Sequence, residues 1–259
     1  MNLELLGINI ALMLLVLSRW AGFVMLAPVI GGKGVPAYVK LGLAIACTIV
    51  VYPLVSKGHV PPGNPLEYAM AVVQESMVGL ATGFVSQKII FIVQNVGQLI
   101  DIQQGFSIGS LLDPVNATPA SVTGNLKIVL VSMLLLATNS HYYLIMAMVR
   151  SYNYIPLLGN GPSPELLNYG SKFIAGTFLG ALQIALPVVG VLVLVEIAMG
   201  YAARALPQMN IFFVGMPVKI GLGFFLMLWL LPLLSGEVSS LFQDSLKQIQ
   251  YLYQGWSKP

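Results

Sequence analysis

Apolar residues run in blocks near 5–30, 41–56, 67–104, 126–149, 172–203 and 211–234, separated by short polar or Pro- and Gly-containing connections. Blocks of this length read as helices, and their succession predicts an all-α chain of about six hydrophobic helices. Two stretches, 128–149 and 173–195, hold no charge and reach the roughly 20 apolar residues of a conventional membrane span. The other blocks fall short. Arg19 splits the first, the second is short, and the third carries Glu75 and Lys88 before Asp101, each a costly group in hydrocarbon. Lys33 and Lys40 precede the second block, Lys57 follows it, and Arg150 and Lys172 flank one connection on both sides, so positive charge sets no orientation.

Read as one continuous helix, at about 100° per residue, the third block sets Glu75, Gly79, Gly83, Gln94, Gly97, Gln98 and Asp101 within an arc of roughly 140°. Such a small-and-polar stripe suits a protein-facing surface. Gly79 and Gly83 form a G-x-x-x-G pair that permits close helix approach. Gly176 and Gly180 repeat the spacing, either as a second close contact or as a coincidence in Gly-rich apolar sequence. After Gly236 the pattern changes: Val238, Leu241, Phe242, Ser245, Ile249, Leu252 and Trp256 recur every three or four residues among Glu237, Asp244, Lys247 and several glutamines. This predicts an amphipathic terminal helix for a membrane surface or a partner, and its few basic residues count against the membrane surface.

Composition excludes a water-soluble domain: of 259 residues 57% are hydrophobic and only 8% charged. Apolar stretches recur along the whole chain, so it reads as one integral polytopic membrane-class unit. Lys and Arg exceed Asp and Glu by 12 to 9 but lie singly, which leaves no basic stripe for nucleic acid. Residues 1–6 carry Glu4, no Lys or Arg and no convincing cleavage site after them, and are expected to stay as part of the first helix. The lone Cys47 excludes an intrachain disulfide and reads as a buried small hydrophobe.

Candidate chemistry is sparse. Gly105-Phe106-Ser107-Ile108-Gly109 fits G-x-S-x-G, but it follows a helix where a hydrolase would have a strand, and its histidine partner would have to be His59 or His141. The Asn116-Ala117-Thr118 sequon is followed by Pro119 and is set aside. No metal-spaced cluster and no phosphate loop occurs, so no catalytic, cofactor or metal site is proposed. The 105–123 segment stands out because it combines Gly105, Gly109, Asp113, Pro114, Asn116 and Pro119 with Phe106, Ile108, Leu111 and Leu112. It reads as a non-helical insert, either a surface loop or a segment protected inside protein or a pore, since its backbone cannot face lipid. A second cluster holds Glu196, Gly200 and Arg204 four apart, then Pro207, Gln208, Asn210, Pro217 and Lys219. One helix face there carries both charges, and on spacing alone a polar hairpin tip with Arg204 at a helix C-terminus is the favoured explanation.

Together these residues resemble the FliR family of flagellar export proteins and the T-type subunits of injectisomes. The resemblance rests on Arg19, Gly22, Pro28, Pro36 and Lys40; on Glu75, Gly79 and Gly83; on Ile100-Asp101 leading through Gly105 to Asp113-Pro114; and on 204–213 with Pro217 and Lys219. It spans almost the full chain, and the 204–213 stretch is its most specific part. One departure is Ser140 before His141, where the family usually has glycine.

The resemblance implies a hetero-oligomeric export gate in the bacterial inner membrane at the flagellar basal body, assembled with P-type and Q-type subunits (FliP, FliQ), contacting FlhB and served by FlhA. Its cargo would be unfolded exported proteins, and the assembled gate would sit largely above the bilayer plane. The implied architecture is kinked helical hairpins: a P-type-like region over 1–171, a Q-type-like hairpin over 172–236 and the amphipathic helix over 237–259. Gly105, Phe106, Ser107, Ile108, Gly109, Leu111, Leu112, Asp113 and Pro114 would form a loop that plugs the channel. Arg19, Glu75, Asp101, Glu196, Arg204, Gln208, Asn210 and Lys219 would make inter-helix or inter-subunit polar contacts, with Gly79 and Gly83 in close packing. The rivals are a secondary transporter with midplane charges and an intramembrane hydrolase using Ser107.

Overall fold

The computed structural model describes residues 9–32, 34–106, 122–159, 161, 163–205, 208 and 210–256. Among these residues there is no strand, and eight helices are described: α1 (Ile10–Leu26), α2 (Ala37–Val55), α3 (Pro65–Ser86), α4 (Lys88–Gln104), α5 (Val122–Ala137), α6 (Ser140–Tyr154), α7 (Glu165–Ala205) and α8 (Ile211–Trp256).

Local chemistry sets several ends. Asn9 caps α1, its side-chain oxygen accepting from the Ala11 and Leu12 amides at 3.0 and 3.4 Å. Asn64 caps α3 in the same way through Leu66 at 3.1 Å, with Pro65 in the first turn and Glu67 favoured there by the helix dipole. The third apolar block is not one helix. It breaks at Gln87, whose amide bonds back to Gly83 and Phe84, and α4 starts at Lys88. The 128–149 block breaks too, where Asn139 adopts φ 54 between α5 and α6. Asn tolerates that left-handed conformation better than most residues, which ends one helix and starts the next.

Three helices among the described residues are long and apolar enough to cross a membrane: Ala37–Val55, Pro65–Ser86 and Asn168–Ala205. The broken pair Thr123–Ala137 and Ser140–Tyr154 passes only when taken together. This corrects the sequence reading, which placed an unbroken span at 128–149 and rejected the second and third blocks. Glu75 no longer counts against α3, because it is buried against a cation. Cys47 is half-buried on α2.

The chain divides into two compact units. One comprises Met1–Lys88, Leu135–Lys172 and Phe242–Pro259; the other comprises Ile89–Leu134 and Phe173–Leu241. In the first unit α1 packs on α2 and α3, and Leu12, Leu15, Val16, Trp20 and Phe23 are buried. The amphipathic end of α8 belongs to this unit, and its apolar positions Phe242, Ser245, Ile249, Leu252 and Trp256 are buried within it. Ser163 Oγ donates to the Gly255 carbonyl at 2.7 Å, Tyr169 to that of Gln248 at 2.8 Å, and Tyr253 to that of Ala147 at 3.2 Å. The face expected to meet a membrane or partner is thus occupied by this chain itself.

The second unit is held by Ile92, Val96 and Ile100 of α4 against Ala181, Ala185, Val188 and Leu192 of α7, with Met227 of α8. Spacings of three and four residues on each helix put these side chains on single faces.

Candidate functional site

Arg19 is the most buried charge in the first unit, with no solvent exposure. Its Nε donates to Glu75, and its Nη1 donates to Ser151 Oγ at 3.2 Å and to the Ile155 carbonyl at 3.0 Å. The guanidinium carbon lies 4.2 Å from the centre of the Tyr152 ring, so a cation–π contact covers the flat face. Nη2 has no hydrogen-bond partner among the described residues. The other oxygen of Glu75 accepts the Leu158 amide at 3.3 Å and so holds the turn after α6, where Leu158 takes φ 61. Three chain segments thereby meet on one ion pair.

The glycines make that meeting possible. A Cβ on Gly79 would overlap the Arg19 carbonyl oxygen, one on Gly22 would come within 2.8 Å of the Ser76 carbonyl, and one on Gly83 within 2.9 Å of that of Phe23. All three positions are buried, and α1 and α3 touch backbone to backbone. The Gly176 and Gly180 pair is different: nothing lies within 4 Å of a Cβ at Gly176, and Gly180 meets only Ile92 at ordinary contact distance.

In the second unit α4 closes in a Schellman turn. The Phe106 amide bonds to the Asp101 carbonyl at 3.0 Å, the Gly105 amide to that of Ile102 at 3.2 Å, and Gly105 takes φ 87, where a side chain would be strained. Phe106 then packs edge-on against Phe224 at 6.3 Å. The buried Asp101 carboxylate accepts the Thr123 amide at 3.3 Å on each oxygen, capping the start of α5. Ser107, Ile108, Gly109, Leu111, Leu112, Asp113 and Pro114 lie outside the described residues. Gln94 and Gln98 are exposed while Gly97 and Asp101 are buried, so the polar stripe does not continue from α3 into α4 as one surface.

In the polar cluster of α7 and α8, Glu196 is exposed while the Lys219 side chain is largely covered. Glu196 pairs with Lys219 at 3.1 Å, joining the two helices, with the Glu196 side chain 58% accessible. Arg204, Gln208 and Asn210 are exposed, and the Asn210 carbonyl accepts the Phe213 amide at 3.1 Å at the start of α8.

The profile of a family described as "Bacterial export proteins, family 1" matches residues 10–245. The flagellar biosynthetic protein FliR of Escherichia coli is 30% identical over 228 residues, covering 88% of this chain and 87% of that protein. This chain belongs to the FliR family of flagellar type III export components. FliR of Bacillus subtilis is 29% identical over 244 residues, 92% of this chain and 93% of the relative. FliR of Aquifex aeolicus is 23% identical over 250 residues, 95% of each.

Several residues at the centre of this FliR-family chain escaped the sequence reading. Ser151, Tyr152 and Ile155 join Arg19 from more than 130 residues away, and no local pattern marks them. Lys88, buried at the start of α4, pairs with Asp244 of α8, 156 residues on. Its signal was a lone lysine in an apolar block, which calls for a partner of opposite charge. Lys127, also buried, lies within electrostatic reach of Asp101.

Proposed function

We propose that this chain is a subunit of the flagellar type III protein-export gate in the bacterial inner membrane. It completes a conduit for unfolded exported proteins, and the 105–114 segment plugs that conduit. The gate is shared with P-type and Q-type subunits (FliP, FliQ), with FlhB and FlhA as further partners. The chain contributes no chemistry of its own, and energy for export comes from elsewhere in the machine. Membership of the FliR family supports the gate.

The observation that carries the plug lies at the base of the segment. Asp101 holds the Thr123 amide, so the chain leaving α4 at the Gly105 turn comes back to where it left. Both ends of the segment are thereby anchored at one point. Its sequence then supplies Phe106, Ile108, Leu111 and Leu112 for apolar closure, flanked by Gly105 and Gly109.

Shortening the 105–114 segment while keeping Asp101 and Thr123 is expected to leave the gate assembled and leaky. The check is dye or ion entry in cells whose mutant gate is shown by co-purification to be complete. Unchanged permeability in such cells would count against the plug.

A further inference from the structure

Between α6 and the end of α8, within the first unit, lies a cleft of about 120 Å³. Its floor is apolar: Ala147, Ile249 and the fully buried ring of Tyr253, which stacks on Tyr154 at 6.0 Å. Its rim carries the exposed Arg150, the amide of Gln250 and the phenols of Tyr143 and Tyr154, 55% and 40% accessible. Among the described residues no carboxylate lines it. Asp244, on the same stretch of α8, is taken up by Lys88, while Lys247 is exposed one turn before Gln250. The cleft is therefore cationic at the mouth and apolar below.

We infer that this cleft binds the phosphate headgroup of an anionic membrane phospholipid, with Arg150 as its principal contact. Arg150 stands near the end of α6, the second half of the apolar pair that passes as a broken span. Exposed Tyr142, Tyr143, Tyr154 and Tyr251 gather on the same two helices. Tyrosines with an apolar ring and a polar tip favour the water–lipid boundary, and basic pockets between helices there take anionic headgroups. The phenols and the Gln250 amide supply neutral donors to phosphate oxygens, and Arg150 supplies the planar fork that matches them. The apolar floor accepts the glycerol and first methylenes, which separates a lipid from free phosphate. The site is independent of the channel plug.

The full-length protein, purified in non-ionic detergent, would be titrated with phosphatidylglycerol and with phosphatidylcholine of the same acyl chains, and bound lipid counted by native mass spectrometry. Phosphatidylglycerol should be retained preferentially, and Arg150→Gln should cut its retention about fivefold, the usual effect of one basic group at a lipid surface. Lys247→Gln should cut it less, and Arg150→Lys should restore part of the loss. Millimolar inorganic phosphate should not displace the lipid. Equal retention of the two lipids, or an unchanged preference in Arg150→Gln, would overturn the assignment. So would efficient displacement by inorganic phosphate, or an Arg150→Gln variant that loses partner subunits while keeping its lipid preference, which would make the occupant a partner's carboxylate.

Discussion

Gly79→Leu should all but eliminate folded protein in the membrane, whereas Gly42→Ala should leave its amount unchanged. Both are glycines inside helices, and their surroundings decide the difference. At Gly79 the first added carbon would overlap the Arg19 carbonyl oxygen, and the atoms that would have to yield are backbone. Side chains can change rotamer to admit an extra methylene, at a typical cost of about 1–3 kcal/mol. Two helix backbones can only separate, and here separation also draws Arg19 away from Glu75, Ser151 and Ile155. The cost therefore exceeds the usual overpacking range. Nothing lies within 4 Å of a Cβ at Gly42, and alanine there gains roughly 0.5–1 kcal/mol of helix preference. Membrane abundance and thermal stability in detergent read both variants. Normal levels of Gly79→Leu would show that α1 and α3 do not cross at this point.

The second large effect is expected at the ion pair. Glu75→Gln and Arg19→Met should each destabilise the first unit by about 3–5 kcal/mol, because each leaves the other partner's charge buried and uncompensated. For a chain of this size roughly 2–4 °C accompanies each kcal/mol, so thermal midpoints should fall by on the order of 10 °C. The double variant Arg19→Met with Glu75→Leu removes both charges and should recover part of the loss, a coupling of about 0.5–3 kcal/mol. A buried pair of this kind specifies geometry more than it adds stability. In this unit it fixes α1, α3 and the turn after α6 on one point. Strictly additive losses would mean that the two side chains act separately.

What was legible in the sequence was the part governed by local spacing. Gly79 and Gly83, four residues apart in an apolar helix, mark a face for close approach, and the structure sets α1 on that face. The terminal amphipathic pattern picks out positions that are buried, among them Phe242, Ile249 and Trp256. Periodicity says which face is covered and nothing about what covers it, so the cover supplied by this chain's own α6 region was read as a membrane or partner.

The helix breaks were illegible for a related reason. Gln87 has no special backbone preference, so nothing in the local sequence marks the end of α3. Asn139 stands among Thr138, Ser140 and His141, but these carry no formal charge and apolar residues resume on both sides, so the block read as one span. Arg19 was visible as an expensive charge and Glu75 as another, yet only the fold brings them together across 56 positions, with Ser151 and Tyr152 added from a third segment. Of the 105–114 segment the described residues include only Gly105 and Phe106, which form its base.

The proposed role makes this chain one subunit of a multi-subunit export gate. Its most direct test is the mass of the intact assembly recovered from the native membrane through a tag on this chain. A single large complex is expected, one that releases P-type and Q-type export subunits together with this chain when it is dissociated. A lone monomer, recovered under conditions that keep other membrane complexes intact, would contradict it.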